Sequence, residues 1–262
     1  MARSAAFRSG LPRPSPPADG QGVFAAPTAH GALRVFSGGS WSPQVLRTGT
    51  LQLLVGGEGR YVAVHKDAAT ATLSISVYEG GSWSTPFITP AAASADGLNA
   101  TSATFDGGDL MVSYLADGNA HAAMRDGMTW TTSGPLQSGD ESSGGGAALL
   151  IDGALTTVFG DGRAYVTRVW DGAAFGPAVT AAQSATAPRS ARPVVSVLPS
   201  GQVLAVMLAY DHGRDRVFAA EFDGSTWQPA VALSEGASRD VVVTHNGTRF
   251  VVLWRTPLQG AG

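Results

Sequence analysis

The 262-residue sequence contains no cysteine. Disulfides, thiolate nucleophiles and cysteine-ligated metal centres are therefore excluded. Lysine is almost as scarce: Lys66 stands alone among the 17 basic residues, and the formal net charge is −3. That balance carries no basic footprint for nucleic acid. Charged residues make up 14% of the chain, against about 25% in an average domain, so Ser, Thr, Gly, Asn and Gln must cover most of the surface. No apolar run reaches the ~18 residues that read as a membrane-spanning helix. Helical periodicity is weak and no segment carries convincing helix caps. The five histidines, at 30, 65, 121, 212 and 245, include no i, i+4 pair, and the acidic residues form no run of alternating calcium ligands; neither a metal nor a cofactor is expected. The stretches GGEG and SGGGAA lead into strand-like segments rather than helices, so they are not phosphate loops.

The N-terminal stretch MARSAAFRSGLPRPSPPADG lacks the continuous apolar core of a signal peptide. Residues 1–20 read as a flexible Pro-rich leader, and residues 21–262 as a single domain. The compartment stays open: a secreted protein can lack cysteine, so an extracellular or cell-surface place is plausible, but no signal peptide is readable in this chain.

Turn-forming residues are abundant. Gly occurs 34 times and Pro 15 times, which points to many short strands. One short pattern recurs five times, as FSGGSW, YEGGSW, RDGMTW, WDGAAF and FDGSTW. Its glycines are Gly38, Gly80, Gly127, Gly172 and Gly224, and its aromatics Trp41, Trp83, Trp130, Phe175 and Trp227. The mean spacing of about 46 residues falls in the range of propeller blades. Within a period, from Val194 to Leu233, strand-like runs alternate with turns at Ser200–Gly201, Asp211–Gly213 and Asp223–Gly224. Two of these turn positions recur elsewhere, at Asp106–Gly107, Asp152–Gly153 and Asn246–Gly247 for the first, and at Asp117–Gly118 and Asp161–Gly162 for the second. Asp-Gly and Asn-Gly between alternating strands make tight hairpins, because glycine accepts positive φ. A Pro follows each aromatic, at Pro43, Pro86, Pro135, Pro177 and Pro229, as suits an edge strand.

The pattern predicts an all-β protein, a β-propeller of four-stranded antiparallel blades. Four repeats are complete. The terminal pieces ALRVFSGGSWSPQVL and SRDVVVTHNGTRFVVLWRT supply outer and inner strands respectively, so joining them closes a ring of five blades. Val23–Ala26 competes with Phe250–Trp254 for the second-strand place in that shared blade. The alternative is an open fragment of a six- or seven-bladed propeller. The repeated Gly and aromatic are read as a folding device, with the aromatic packed on a neighbouring sheet.

The DGSTW-type repeats resemble those of bacterial propellers of the sialidase-like and propeller-lectin type, from Ala32 to the C-terminus. The sialidase Asp-box, Ser-x-Asp-x-Gly-x-x-Trp, is matched in its Gly-x-x-Trp portion at Gly38, Gly80, Gly127 and Gly224. Its Asp is not matched: Phe36, Tyr78, Arg125, Trp170 and Phe222 stand two places before the glycines. The resemblance implies a carbohydrate-binding propeller, or a sialidase-like hydrolase that grips a substrate carboxylate with an arginine cluster beside a tyrosine nucleophile. Arg192 and Arg239 precede equivalent innermost strands and are candidates for one mouth of the channel. Tyr210 is a third candidate. Trp170 and Trp254, outside the repeated aromatic position, are candidate platforms for a sugar. The mouth residues do not repeat from blade to blade and no catalytic set emerges from spacing. A non-catalytic binding module for a glycan or a protein partner is the favoured reading, with the sialidase-like hydrolase as its alternative.

Overall fold

The computed structural model describes residues 22–26, 30–37, 40–41, 45–57, 60–106, 108–136, 146–151, 153–161, 164–180, 194–198, 200–211, 213–223, 225–246 and 248–256. Every regular element among them is a β-strand, and all pairings are antiparallel. The architecture is that of β-propeller blades, mostly four strands each. The chain divides into two compact units, Met1–Ala100 and Thr101–Gly262.

In the first unit, β1 (Gly22–Ala26), β2 (His30–Ser37), β3 (Ser40–Trp41) and β4 (Val45–Thr48) form one sheet, with β3 and β4 both on β2. A second sheet follows, in the order β5 (Thr50–Gly57), β6 (Arg60–Asp67), β7 (Thr72–Glu79), β8 (Ser82–Trp83), with β9 (Phe87–Ile88) also on β7. Its face towards the first sheet carries Leu51, Tyr61, Ala63, Tyr78 and Trp83, which pack on Leu33 and Val35 of β2. The place beside β2 that the closed-ring expectation offers to Phe250–Trp254 is held by β1, which pairs with β2 from Gly22↔Phe36 to Ala26↔Ala32.

The second unit begins within β10 (Asn99–Asp106), which pairs in order with β11 (Asp109–Ala116), β12 (Asn119–Asp126) and β13 (Thr129–Thr132). Next come β14 (Gly146–Ile151), β15 (Ala154–Asp161), β16 (Ala164–Val169) and β17 (Val179–Thr180), then β18 (Val194–Val197), β19 (Val203–Asp211), β20 (Arg214–Phe222) and β21 (Val231–Ala232). A hairpin of β22 (Arg239–His245) and β23 (Phe250–Arg255) forms a sheet of its own. Apolar layers lie between successive sheets. Met111, Ala122 and Met124 meet Ala148, Leu155 and Phe159. Leu149 and Val158 meet Val203, Met207 and Phe218. Val206 and Val217 meet Val241, Val243 and Val252 of the hairpin.

The repeated pattern acquires a physical role here. At Gly80, Gly127 and Gly172 the backbone has φ of 56°, 54° and 99°, and an added Cβ would meet nothing within 4 Å. The left-handed conformation, rather than crowding, demands glycine. The residue two places before each glycine lies directly across the hairpin from the motif aromatic: Phe36↔Trp41, Tyr78↔Trp83, Arg125↔Trp130, Trp170↔Phe175 and Phe222↔Trp227. Three of these are tilted ring pairs with centroids 5.4, 5.2 and 5.1 Å apart. The place of the Asp-box carboxylate is therefore a cross-strand packing position in this chain, and Trp170 holds it in the fourth sheet.

Where the outer strand is interrupted, hydroxyls complete the ladder. Ser84, Ser133, Ser234 and Thr89 accept from the backbone N–H of Val77, Ala122, Val217 and Leu73 at 2.9–3.0 Å. The outer loops are braced by their leading acids. Asp171 accepts from the N–H of Ala173 and Ala174 at 2.8 and 2.7 Å, and Asp223 from Ser225 and Thr226 at 2.9 and 2.8 Å. These donors hold both carboxyls below the usual carboxylate range, led by Ala174 and Thr226 respectively.

Candidate functional site

The strongest constellation of exposed chemistry lies where β22 begins. Between Arg239↔Arg255 and Val242↔Leu253 the register shifts by one residue. Asp240 and Val241 thus oppose Trp254 alone, which is a β-bulge. Asp240 sits in the left-handed region with φ 51°, where aspartate is among the few side chains tolerated. In a bulge of this form that position usually belongs to glycine. The Asp240 carboxylate forms an ion pair with the Arg255 guanidinium, both side chains being about two-thirds exposed (65% and 67%). Trp254, across the bulge, is 37% exposed. The indole and the ion pair thus lie at one hairpin end, but Trp254 shares its face of β23 with Val252, which packs on the fifth sheet, and the next residue, Arg255, points to the other face.

The bulge is anchored to the preceding blade by buried hydroxyls. The Ser238 N–H donates to the Asp215 carbonyl at 2.8 Å, and its hydroxyl donates to Ser234 Oγ at 2.9 Å. Ser238 is 1% exposed. Arg216 Nε donates to the Ser234 carbonyl at 2.8 Å, with its guanidinium 5.6 Å from the Phe218 ring centroid. Asp215 is the cross-strand partner of Tyr210, and Arg214 of Asp211. The backbone of Arg239 thus stands one residue from a hydrogen bond to the strand pair that carries Tyr210.

Three of the residues expected at a site, Tyr210, Arg239 and Trp254, therefore belong to neighbouring parts of the fifth and sixth sheets. Arg192 lies outside the described residues. Trp170 is elsewhere, half-buried against Phe175 and the layer containing Met111, Leu155 and Phe159. Of the repeat residues, Gly38 and Gly224 lie outside the described residues, Trp41 and Trp130 take their cross-strand places, and Trp227 is 7% exposed. Asp240 and Arg255 were not singled out by sequence. Counting back from the Asn246–Gly247 turn in regular register would have put these opposite charges across from each other.

Other titratable groups in the second unit offer less. Tyr114 is buried and stacked on His121 with ring centroids 5.3 Å apart; burial pushes its phenol up to about 12, so it keeps its proton at neutral pH. Burial also lowers His121. Among the described residues no group of three or more His, Asp or Glu could hold a metal ion. Nor is any described helix long and apolar enough to cross a membrane.

The chain matches no protein-family model and no curated protein. Among solved structures it is similar to a candidate 6-phosphogluconolactonase from Bacteroides uniformis, with TM-score 0.58 and 14% identity over 95% of this chain and 79% of that one. Weaker likenesses include the NanB sialidase from Streptococcus pneumoniae, with TM-score 0.43 and 14% identity over 70% of this chain. They also include an endo-arabinase from Bacteroides thetaiotaomicron, with TM-score 0.44 and 11% identity over 79% of this chain and 88% of that one. The aligned part spans 33% of the sialidase chain. At these identities the likeness concerns the fold alone.

Proposed function

We propose that the chain is a non-catalytic propeller module that binds a glycan, with its contact surface at the Asp240–Val241 bulge and Trp254. The observation that carries this reading is the exposed Trp254 directly opposite a bulge whose Asp240 is paired with Arg255. A sugar presents a C–H face that stacks on an indole, and hydroxyls that donate to carboxylate oxygens and accept from guanidinium N–H groups. The bulge supports such a role because it takes two residues out of regular alternation and re-aims them. Tyr210 and Arg239, on strands beside the bulge by their backbone pairing, are further candidates for contact.

The test is a glycan-array screen followed by calorimetry on the hits, with Trp254→Ala and Asp240→Asn alongside the parent chain. Trp254→Ala should weaken binding at least tenfold, because base-line affinity rests on the platform, while thermal unfolding stays near the parent value. Undiminished binding in both variants would remove the bulge from the site. The sialidase-like alternative is separated by a fluorogenic sialoside assay. Turnover that depends on Arg239 or Arg192 would replace the binding reading with a hydrolytic one.

A further inference from the structure

We propose that the seam between the two sheets of the first unit holds a halide-sized monovalent anion, bound by Arg47, the imidazole N–H of His65 and the hydroxyl of Ser74. The site is independent of the glycan surface and lies in the other unit.

His65 is fully buried, and neither ring nitrogen has a hydrogen-bond partner among the described residues. Buried polar atoms are nearly always paired, so an orphaned imidazole asks for an ion or a water. By strand alternation His65 shares the face of β6 that carries Tyr61 and Ala63, the face packed on β2. Its cross-strand partner on β7 is Ser74, and that of Ala63 is Ser76. Arg47 reaches this same face from β4. Its Nε donates to Ser76 Oγ at 3.0 Å and Nη2 to the Ser84 carbonyl at 3.1 Å. Nη1 makes a longer contact of 3.4 Å with the Leu46 carbonyl. The guanidinium therefore sits over Ser76, in the next pair on the same face of the ladder as His65 and two residues along from it. The chain just beyond it is pressed against β6: a Cβ on Gly49, which has φ 93°, would lie 2.2 Å from the Lys66 carbonyl oxygen. Only glycine permits that approach, and it fixes the end of β4 beside His65.

The charge is what selects an anion over a water. All three acceptors of Arg47 are neutral oxygens, and its guanidinium is half-buried. Burial lowers the Arg47 pKa, and burial followed by the Arg47 charge pushes His65 down to about 4. The seam thus holds a positive charge and unfilled donors, and among the described residues no carboxylate is paired with Arg47. A water would pair the ring but leave the charge. A small anion accepts from the imidazole N–H and the Ser74 hydroxyl and also offsets Arg47. A monoatomic halide is the smallest common anion able to do this, and it asks least of a site as buried as His65.

The full chain is compared in sodium chloride and sodium gluconate at equal ionic strength. Chloride should raise Tm by about 2–4 °C over gluconate, the shift that a roughly fivefold gain in the folding equilibrium gives a chain of this length. It should also broaden the chloride-35 resonance in proportion to protein. Both effects should vanish in His65→Leu, and in Ser74→Ala if the larger change does not fold. Equal Tm in the two salts with no line broadening would overturn the site, as would a chloride effect that survives both substitutions.

Discussion

Trp83 and Trp227 occupy the same place in the repeat and meet different fates. Trp227 is 7% exposed, and its Nε1–H donates to Thr167 Oγ1 of the preceding sheet at 2.7 Å. Trp83 is half-buried between Leu33, Ala63 and Tyr78, and its buried Nε1 has no partner. The difference is set one blade earlier. Thr167 stands five residues before Gly172, and the residue five before Gly38 is Leu33. The motif aromatic thus reads the third strand of the sheet before it. Phe175, which has no N–H, packs in the layer that contains Ala122, five residues before Gly127. In the first unit the same seam also buries the unpaired His65. At one blade contact the tryptophan N–H is satisfied, and at the other three buried nitrogens have no partner among the described residues.

The largest expected effect separates the two tryptophans outright. Trp227→Ala should cost about 3–5 kcal/mol in unfolding free energy, the usual range for emptying a buried aromatic site, with an added share from the stranded Thr167 hydroxyl. Trp83→Ala should cost less, because that ring is partly exposed and gives up no hydrogen bond. Denaturant unfolding of the two variants checks the order. Equal losses would break the comparison.

Acid should weaken the first unit selectively. Burial and the Arg47 charge keep His65 neutral in the folded chain down to about pH 4, whereas an unfolded histidine takes its proton near 6.5. The folded pKa is depressed, so the stability is fully present above about pH 6.5 and falls away as pH drops towards 4. At about 1.4 kcal/mol per pH unit the total is roughly 3 kcal/mol. Thermal unfolding in chloride-free buffer should show this decline, and His65→Leu should flatten it. A parent profile level between pH 6.5 and 4 would place a proton or a partner on His65 in the folded state.

Much of this architecture is legible in the amino-acid sequence. Glycine at a left-handed position, a hairpin turn and an aromatic three residues later are local requirements, and their spacing carries the strand count and the blade. The identity of Phe36, Tyr78 and Trp170 as partners of the motif aromatics also follows from counting across a two-residue or four-residue turn, once the turn is known. The Asp240 bulge does not. A register shift depends on how β22 meets Ser238 and Asp215 of the fifth sheet, and nothing in the local sequence distinguishes it from the regular β-strand SRDVVVTH suggests. His65 was equally hidden. A single histidine in an apolar strand reads as core, and its orphaned state arises from Arg47 and Gly49 on a different sheet.

A smaller effect tests the hydrogen bond alone. Thr167→Val keeps shape and removes the acceptor, leaving the Trp227 N–H buried and unpaired. The cost should be about 1–3 kcal/mol. Adding Trp227→Phe removes the stranded donor, so the double variant should fall by less than the sum of the two single changes. Strict additivity would mean that the 2.7 Å contact contributes nothing.

The smallest expected effect is at the orphaned partner. Trp83→Phe removes an indole N–H that has no acceptor, together with part of a half-buried ring. Losing apolar contact with Leu33 and Tyr78 destabilises, and releasing a buried unpaired donor stabilises. The two terms oppose each other at about 1 kcal/mol apiece, so the net change should lie within about 1 kcal/mol of zero. Trp227→Phe gives up both ring area and a satisfied hydrogen bond, and should lose clearly more. The pair of variants, unfolded in denaturant under identical conditions, isolates the polar atom from the ring because the same substitution is made at the same repeat position. If Trp83→Phe costs as much as Trp227→Phe, the Trp83 N–H has a partner in solution, and the contrast between the two blade contacts reduces to a difference in ring burial.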